Sequence, residues 1–120
     1  MRPLKLLIAF AAALLFSGCH SPYIAATLTN RTTQPLSLLE LDYPSASFGT
    51  QTLAPGQSYH YRFKVLGSGP TTLLWTDSAH HDHKAAGPAL REDDEGTLTV
   101  TFPPGANPAW DLHLINRAGT

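Results

Sequence analysis

Short segments in which apolar and polar residues alternate run through most of the chain after residue 23. In the clearest of them, residues 59–65, aromatic and aliphatic side chains alternate with basic ones. Successive side chains of a β-strand point to opposite faces of its sheet, so this alternation predicts a strand that buries one face and exposes the other. Tyr59, Tyr61, Phe63 and Val65 are predicted to face the core.

Further strands are predicted over residues 24–28, 36–43, 47–53, 71–76, 85–90, 97–102 and 110–114. Leu73, Leu74 and Trp75 are apolar on both faces, which indicates a central or covered strand. Turn-forming combinations such as Pro55-Gly56 separate the segments. Seven or eight short strands divided in this way predict an all-β fold, a single antiparallel β-sandwich. A small closed β-barrel is the alternative.

The spacing of the strands resembles that of immunoglobulin-like domains. This resemblance carries over only the sandwich architecture, because the chain has one cysteine and therefore lacks the Cys…Trp…Cys core of antibody domains. No apolar stripe with a period of 3.6 residues follows Cys19, so no amphipathic helix is expected in this part of the chain.

The first 18 residues have a different pattern. Two basic residues at positions 2 and 5 precede an unbroken apolar run over residues 6–16, and two small residues follow it. This is the three-part pattern of an export signal. The run is shorter than the roughly 20 apolar residues that a membrane-spanning helix needs, so it is not interpreted as one.

Phe16-Ser17-Gly18-Cys19 resembles the lipobox of bacterial lipoproteins, in which the cysteine is lipidated and becomes the first mature residue. The resemblance implies a signal peptide over residues 1–18 and a lipidated tether over 19–23, and the strand pattern predicts the β-sandwich domain over 24–117. Two or three acyl chains hold a protein firmly, since each buried methylene contributes about 0.8 kcal/mol. An ordinary signal peptide that leaves Cys19 as a free thiol is the alternative.

The residue after the cysteine bears on the destination of such a protein. In families that follow the enteric sorting rule, an Asp at this position retains the lipoprotein in the inner membrane. Here the position is His20. The resemblance therefore implies a lipid anchor in the outer membrane of the cell envelope.

The charge balance excludes one class of partner. The 120-residue chain has eight Lys and Arg, two of them before Cys19, and nine Asp and Glu. The 102 residues from Cys19 onward therefore carry a formal charge of −3 with neutral histidines. Nucleic-acid binding needs a basic face, so no nucleic-acid partner is expected. The expected partners are the membrane, through the N-terminal lipid, and a protein of the envelope.

Residues 77–83 hold the densest group of potential metal ligands, namely Asp77, His80, His81 and His83. In an extended segment His81 and His83 lie on one face, and Asp77 or His80 completes the set. Imidazole and carboxylate ligands suit copper and zinc ions, so a Cu or Zn site is one hypothesis. The other is a solvated hairpin loop without a cofactor, because the spacing matches no named metal motif.

The remaining candidate features favour structural roles. The acidic run at residues 92–95 lacks the alternating Asp spacing of a calcium loop and predicts a solvated turn. Asn30-Arg31-Thr32 matches a glycosylation sequon and is interpreted as a turn. The aromatic residues of the strands could line a ligand groove, but their alternate positions favour the core. These residues are Tyr59, Tyr61, Trp75 and Trp110.

No catalytic residue is predicted. Gly67-Ser68-Gly69 is not a nucleophile elbow, and lipidation consumes the single thiol. The sequence thus predicts a membrane-anchored lipoprotein of the bacterial cell envelope, acting as a small non-catalytic binding or structural accessory module. The alternative is a periplasmic metal-binding protein that uses the His80–His83 loop.

Overall fold

The computed structural model describes residues 21–115, which form eight strands and no helix. Cys19 and His20, and with them the signal and the lipidation site, lie outside the described residues. Among residues 21–115, no helix has the length and apolar character needed to cross a membrane. The strands are β1 (Ile24–Asn30), β2 (Leu36–Tyr43), β3 (Ala46–Leu53), β4 (Ser58–Phe63), β5 (Gly69–Thr76), β6 (Asp82–Leu90), β7 (Gly96–Phe102) and β8 (Ala109–Leu114).

The strands form two four-stranded sheets that pack as a sandwich. The first sheet has the order β4-β1-β7-β8 and the second has the order β3-β2-β5-β6. Because the two sheets are separate hydrogen-bonded units, the predicted all-β sandwich is confirmed and the alternative of a small closed barrel is wrong. β5 lies inside its sheet, as the doubly apolar Leu73, Leu74 and Trp75 predict.

One strand pairing differs from the expected antiparallel arrangement. β1 and β7 run parallel, in a register from Ile24↔Gly96 to Asn30↔Phe102, whereas the other pairings within residues 21–115 are antiparallel. Both strands therefore begin at one end of the sandwich and finish at the other. We call the end that carries Tyr23 and Gly96 the proximal end, and the end that carries Asn30 and Phe102 the distal end.

The core lies between the two sheets and is made of the inward residues of alternating strands. In β7 the predicted inward residues Leu98, Val100 and Phe102 are at most 3% exposed, and in β2 Leu39 and Leu41 are equally buried. Burying a side chain of this size contributes about 1.5–3 kcal/mol, so these alternating positions supply most of the driving force for folding.

Aromatic rings close the side of the sandwich between the edge strands β3 and β4. The Phe48 ring lies 4.5 Å from the Tyr61 ring and 5.5 Å from the Phe63 ring, measured between centroids. Tyr61 remains 41% exposed, so the prediction that it faces the core is wrong. The reason is that β4 is an edge strand, so the Tyr61 ring stacks on Phe48 at the rim of the sandwich and stays partly in contact with solvent.

Two local departures from regular alternation follow from bulges and turns. Leu38 has a φ of 49° and is 59% exposed, and the β2–β5 register shifts between Ser37 and Glu40. β6 begins at Asp82 rather than at the predicted residue 85, because the hydroxyl of Thr76 donates to the Asp82 carboxylate over 2.7 Å and extends the hairpin. The loop between β5 and β6 therefore spans residues 77–81 and is shorter than predicted.

A buried asparagine fastens the distal end of the sandwich. Asn30 is fully buried, and its amide nitrogen donates to the carbonyls of Gln34 and Leu53 over 2.8 and 2.9 Å. Its amide oxygen accepts from the backbone and the hydroxyl of Thr32 over 2.9 and 2.7 Å. The sequon-like Asn30-Arg31-Thr32 segment is thus a hydrogen-bonded turn whose amide is enclosed in the protein, in agreement with the sequence interpretation.

Replacing Asn30 with Ala should lower the free energy of unfolding by about 2–4 kcal/mol, because the Leu53 and Gln34 carbonyls lose their partner inside the protein. Urea denaturation of the full chain measures the change. The control is Asn107→Ala in an exposed loop, which should stay within about 0.5 kcal/mol of the wild type. Equal, small effects of the two substitutions would contradict the assigned role of Asn30.

Candidate functional site

Three loops surround an open cleft of about 580 Å³ at the distal end of the sandwich. They are the β1–β2 loop, the β5–β6 hairpin loop and the β7–β8 loop, and the aromatic rings of Trp75 and Phe102 lie at the base. The residues that line the cleft are Thr32, Gln34, Pro35, Leu36, Trp75, Asp77, Ser78, Ala79, His83, Phe102, Pro103, Gly105, Ala106 and Asn107. Concave sites with an apolar base and a few polar groups are typical of ligand-binding pockets.

Three aromatic rings in contact form the base of the cleft. Trp75 meets Phe102 edge to face, with centroids 5.2 Å apart and an interplanar angle of 75°. On the neighbouring strand His83 lies opposite Trp75 and stacks on it at 5.1 Å and 11°. Because Phe102 belongs to the first sheet and Trp75 to the second, these contacts join the sheets where the cleft opens.

Of the four aromatic residues that could line a groove or belong to the core, Trp75 lies in a different part of the structure from the other three. Tyr59 and Tyr61 pack near Phe48 at the side opening between β3 and β4. Trp110 is half-buried against Gly87, where an added Cβ would come within 2.4 Å of its ring. Of the four, Trp75 is the one whose ring both packs on the core and lines the cleft.

Asp77 organises the hairpin loop beside the cleft. One carboxylate oxygen accepts from the backbone N–H groups of Ala79 and His81 over 2.9 and 3.0 Å. The Asp77 backbone N–H donates to the His81 carbonyl, and its carbonyl accepts from the His80 N–H. His80 closes the turn with a φ of 63°, in the left-handed region. The loop therefore has a defined shape set by a carboxylate followed by a tight turn.

The second Asp77 oxygen faces two imidazoles. His83 Nε2 donates to Oδ2 over 2.7 Å, and His81 Nδ1 lies 3.8 Å from the same atom. The His83 hydrogen bond, followed by the backbone N–H of His81, lowers the pKa of Asp77 from 3.8 to about 2. Asp77 is thus a carboxylate at neutral pH and places a fixed negative charge on the wall of the cleft.

The structure brings together three of the four predicted metal ligands. Asp77, His81 and His83 meet around one carboxylate oxygen, whereas His80 serves as the left-handed turn residue. Within residues 21–115, no group of three or more His, Cys, Asp and Glu side chains has the arrangement of a metal site. The hydrogen bonds of Asp77 show that the same residues already perform a structural task in the turn.

The two other histidines of the described residues lie on strands of the first sheet, whereas this loop joins two strands of the second. His60 on β4 hydrogen-bonds with Thr27, and His113 on β8 pairs with Asp111. β4 and β8 are the opposite edges of the first sheet, so they are three strand spacings apart, about 14 Å. His60 and His113 therefore do not converge on each other.

A serine in the cleft does not complete a catalytic arrangement. Ser78 lines the cleft beside Asp77 and His83, but among the described residues no hydrogen bond joins its hydroxyl to His83. A nucleophile needs a base within hydrogen-bond reach.

The acidic run at residues 92–95 includes one buried carboxylate. Asp94 is 3% exposed, and its carboxylate accepts from the Arg91 N–H over 2.8 Å. The turn that was expected to be solvated is therefore closed by a side chain inside the protein.

Comparison with known proteins bears on the fold. A protein from Eubacterium rectale, whose structure was determined by NMR, superposes on this chain with a TM-score of 0.54 and 10% sequence identity. The alignment covers 75% of this chain and 87% of the other. The likeness is one of fold. No protein-family model and no curated protein sequence matches the chain.

The Asp77 titration is a direct test of the hairpin geometry. Carbon-13 NMR of the side-chain carboxyl should give a midpoint near pH 2, and His83→Ala should move it up towards the ordinary value because the shortest hydrogen bond is lost. Since the pKa is lower in the folded state, the stabilising effect of Asp77 is present above about pH 4 and is lost as the pH falls towards 2.

The control for this titration is His81→Ala. This change keeps the hydrogen bond from the residue 81 backbone N–H to the Asp77 carboxylate and removes only the more distant imidazole. It should move the midpoint less than His83→Ala does. A midpoint in the ordinary range for the wild type, or equal shifts in both variants, would contradict the assigned hydrogen bond.

Proposed function

We propose that this protein is a lipid-anchored, non-catalytic binding module of the bacterial cell envelope, and that it binds its partner at the distal cleft. The proposal combines the lipobox-like Phe16–Cys19 segment with one structural observation. That observation is the position of the cleft, which lies at the opposite end of β1 from the point where the chain enters the domain.

The entry point of the chain is fixed to the domain. The Tyr23 carbonyl accepts from the Gly96 N–H over 3.1 Å, and the Arg62 guanidinium lies 4.2 Å from the centre of the Tyr23 ring. β1 then runs for seven residues, about 20 Å, to the distal end. Three residues lie between Cys19 and Tyr23, and the four Cα–Cα steps span at most about 14 Å. An anchor at Cys19 would hold the proximal end near the membrane and direct the cleft away from it.

The cleft has the properties of a binding surface built on a rigid frame. Its base consists of the rings of Trp75, Phe102 and His83, and all three residues belong to strands. Its rim consists of loops, and two of them are held by internal hydrogen bonds of Asn30 and Asp77. Preformed loops lose little conformational entropy on association, which favours binding.

Site-specific cross-linking in the protein's own host cells tests both parts of this proposal. With a photo-cross-linking amino acid in place of Asn107, at the rim of the cleft, we expect a discrete adduct in the membrane fraction. The matched control places the same group at exposed Thr97 near the proximal end of β7, where no adduct is expected. Cys19→Ser should remove the acyl mass from the N-terminus and release the chain into the soluble fraction.

The outcomes separate the two parts. Equal adducts from positions 107 and 97 would contradict binding at the cleft and leave the anchor unaffected. A Cys19→Ser chain that stays in the membrane with an unchanged N-terminal mass would contradict the anchor and leave the cleft unaffected.

A second candidate function is supported by the approach of His81 and His83 to one Asp77 oxygen. In this proposal the loop binds Cu(II) or Zn(II), with the ion replacing the hydrogen bond between Asp77 and His83. Calorimetric titration of the full chain should then show stoichiometric, submicromolar binding. The triple variant His80→Ala, His81→Ala and His83→Ala should abolish it, whereas His60→Ala should not. Weak binding, or binding that the triple variant retains, would reject this function.

A further inference from the structure

Within residues 21–115, two sheets of four strands leave four edge strands, and three of them carry protection against pairing with another chain. β4 has Arg62, β8 has Asp111, and β6 has Lys84 and Pro88 together with a bulge. Charges, prolines and bulges are the features by which natural proteins block strand addition. β3 is the exception, since its eight residues, ASFGTQTL, include neither a charge nor a proline.

A notch opens across β3 towards its neighbour β2. Gly49 of β3 lies opposite Glu40 of β2, and Ser47 lies opposite Asp42. A depression of about 320 Å³ surrounds Gly49 and is lined by Leu38, Leu39, Glu40, Gly49, Thr50 and Gln51. Gly49 itself is required by the β2 bulge, because an added Cβ would overlap the Leu39 carbonyl. The lack of a side chain leaves Glu40 accessible from the outer side of β3.

The notch holds an acidic pair without a cation. Glu40 and Asp42 occupy alternate positions of β2, and a hydrogen bond between their side chains, with their mutual repulsion, raises the pKa of Glu40. Within residues 21–115 neither carboxylate forms an ion pair with Lys or Arg. Lys84 is separated from Glu40 by Leu74 of β5. A cation from another molecule would relieve the repulsion between the two carboxylates.

We propose that β3 accepts an extended segment of a partner protein as a fifth strand, and that a Lys or Arg of this segment reaches across Gly49 to Glu40 and Asp42. An added strand lies one spacing from β3 and two spacings, about 10 Å, from β2. A long basic side chain and the Glu40 side chain together span this distance. Backbone hydrogen bonds supply the affinity in this mode of recognition, and the side chain supplies the specificity.

A second copy of this chain fits the notch less well than a basic segment. Pairing β3 with β3 of another copy would place an uncharged strand at the edge and a second acidic pair beyond it. It would bring no cation to Glu40. Complementary charge therefore favours a basic partner strand over a homodimer.

The test uses the full chain purified in detergent and two blocked synthetic peptides that differ at one position. One is Ser-Thr-Val-Thr-Arg-Thr-Val-Thr-Ser, and the other has Glu in place of Arg. By fluorescence anisotropy the Arg peptide should bind up to about fivefold more tightly, the upper end of what one exposed ion pair contributes. Amide NMR shifts on binding should be confined to β2 and β3.

Substitutions at the notch should change this preference in a defined direction. Glu40→Arg should reverse it, so that the Glu peptide binds more tightly. Asp42→Asn, a neutral change of similar shape, should reduce the preference and keeps the test available if Glu40→Arg does not fold. The matched control is Glu92→Arg at an exposed turn position, which should leave the preference unchanged.

Four results would overturn the proposal. Three of them are equal affinity for both peptides, binding of neither peptide, and amide shifts that map to β4, β6 or β8 instead of β3. The fourth is a dimer in sedimentation velocity whose contact maps to β3, which would assign this edge to a second copy. Each result leaves the distal cleft and the lipid anchor unaffected, so the two proposals fail independently.

Discussion

The buried amide of Asn30 is the interaction on which the distal end of the molecule depends. It ends β1 in the first sheet, donates to Leu53 in the second sheet and fixes the loop that leads to β2. The Asn30 backbone adds bonds to the β3–β4 turn, through Gln57 and Gly56. An apolar residue here could pack but could not satisfy these carbonyls and N–H groups. A single polar side chain therefore joins the two sheets at the distal end and fixes one wall of the cleft.

The parallel pairing of β1 with β7 determines which loops meet at the cleft. Because the two strands run in the same direction, the Phe102 end of β7 lies beside Asn30 and brings the β7–β8 loop to the cleft. Antiparallel pairing would have placed this loop at the proximal end, next to Tyr23. The cleft consequently collects loops from both sheets. Trp75 and Phe102, one from each sheet, form a base that holds the loops in place.

The sequence predicts the strands well because alternation is a local property, and residues such as Leu98 and Val100 reveal their burial through their immediate neighbours. It also predicts that Asp77, His81 and His83 lie together, since they share one hairpin. It cannot predict the parallel register of β1 and β7, which depends on pairing between distant segments. For the same reason Asn107 and Gln34 could not be assigned to the cleft. The turn-forming role of Asp77 was obscured by its suitability as a metal ligand.

The cleft and the β3 edge are separate surfaces with one property in common. Asp77 faces the cleft as a permanent carboxylate, and Glu40 with Asp42 faces the notch beside Gly49. From Cys19 onward the chain has a formal charge of −3, so both surfaces lie in a field that attracts cationic groups and repels anionic ones. β2 connects them, because Leu36 lines the cleft and Glu40 lines the notch. A partner with a basic extended segment would thus be attracted towards the surface on which that segment can pair.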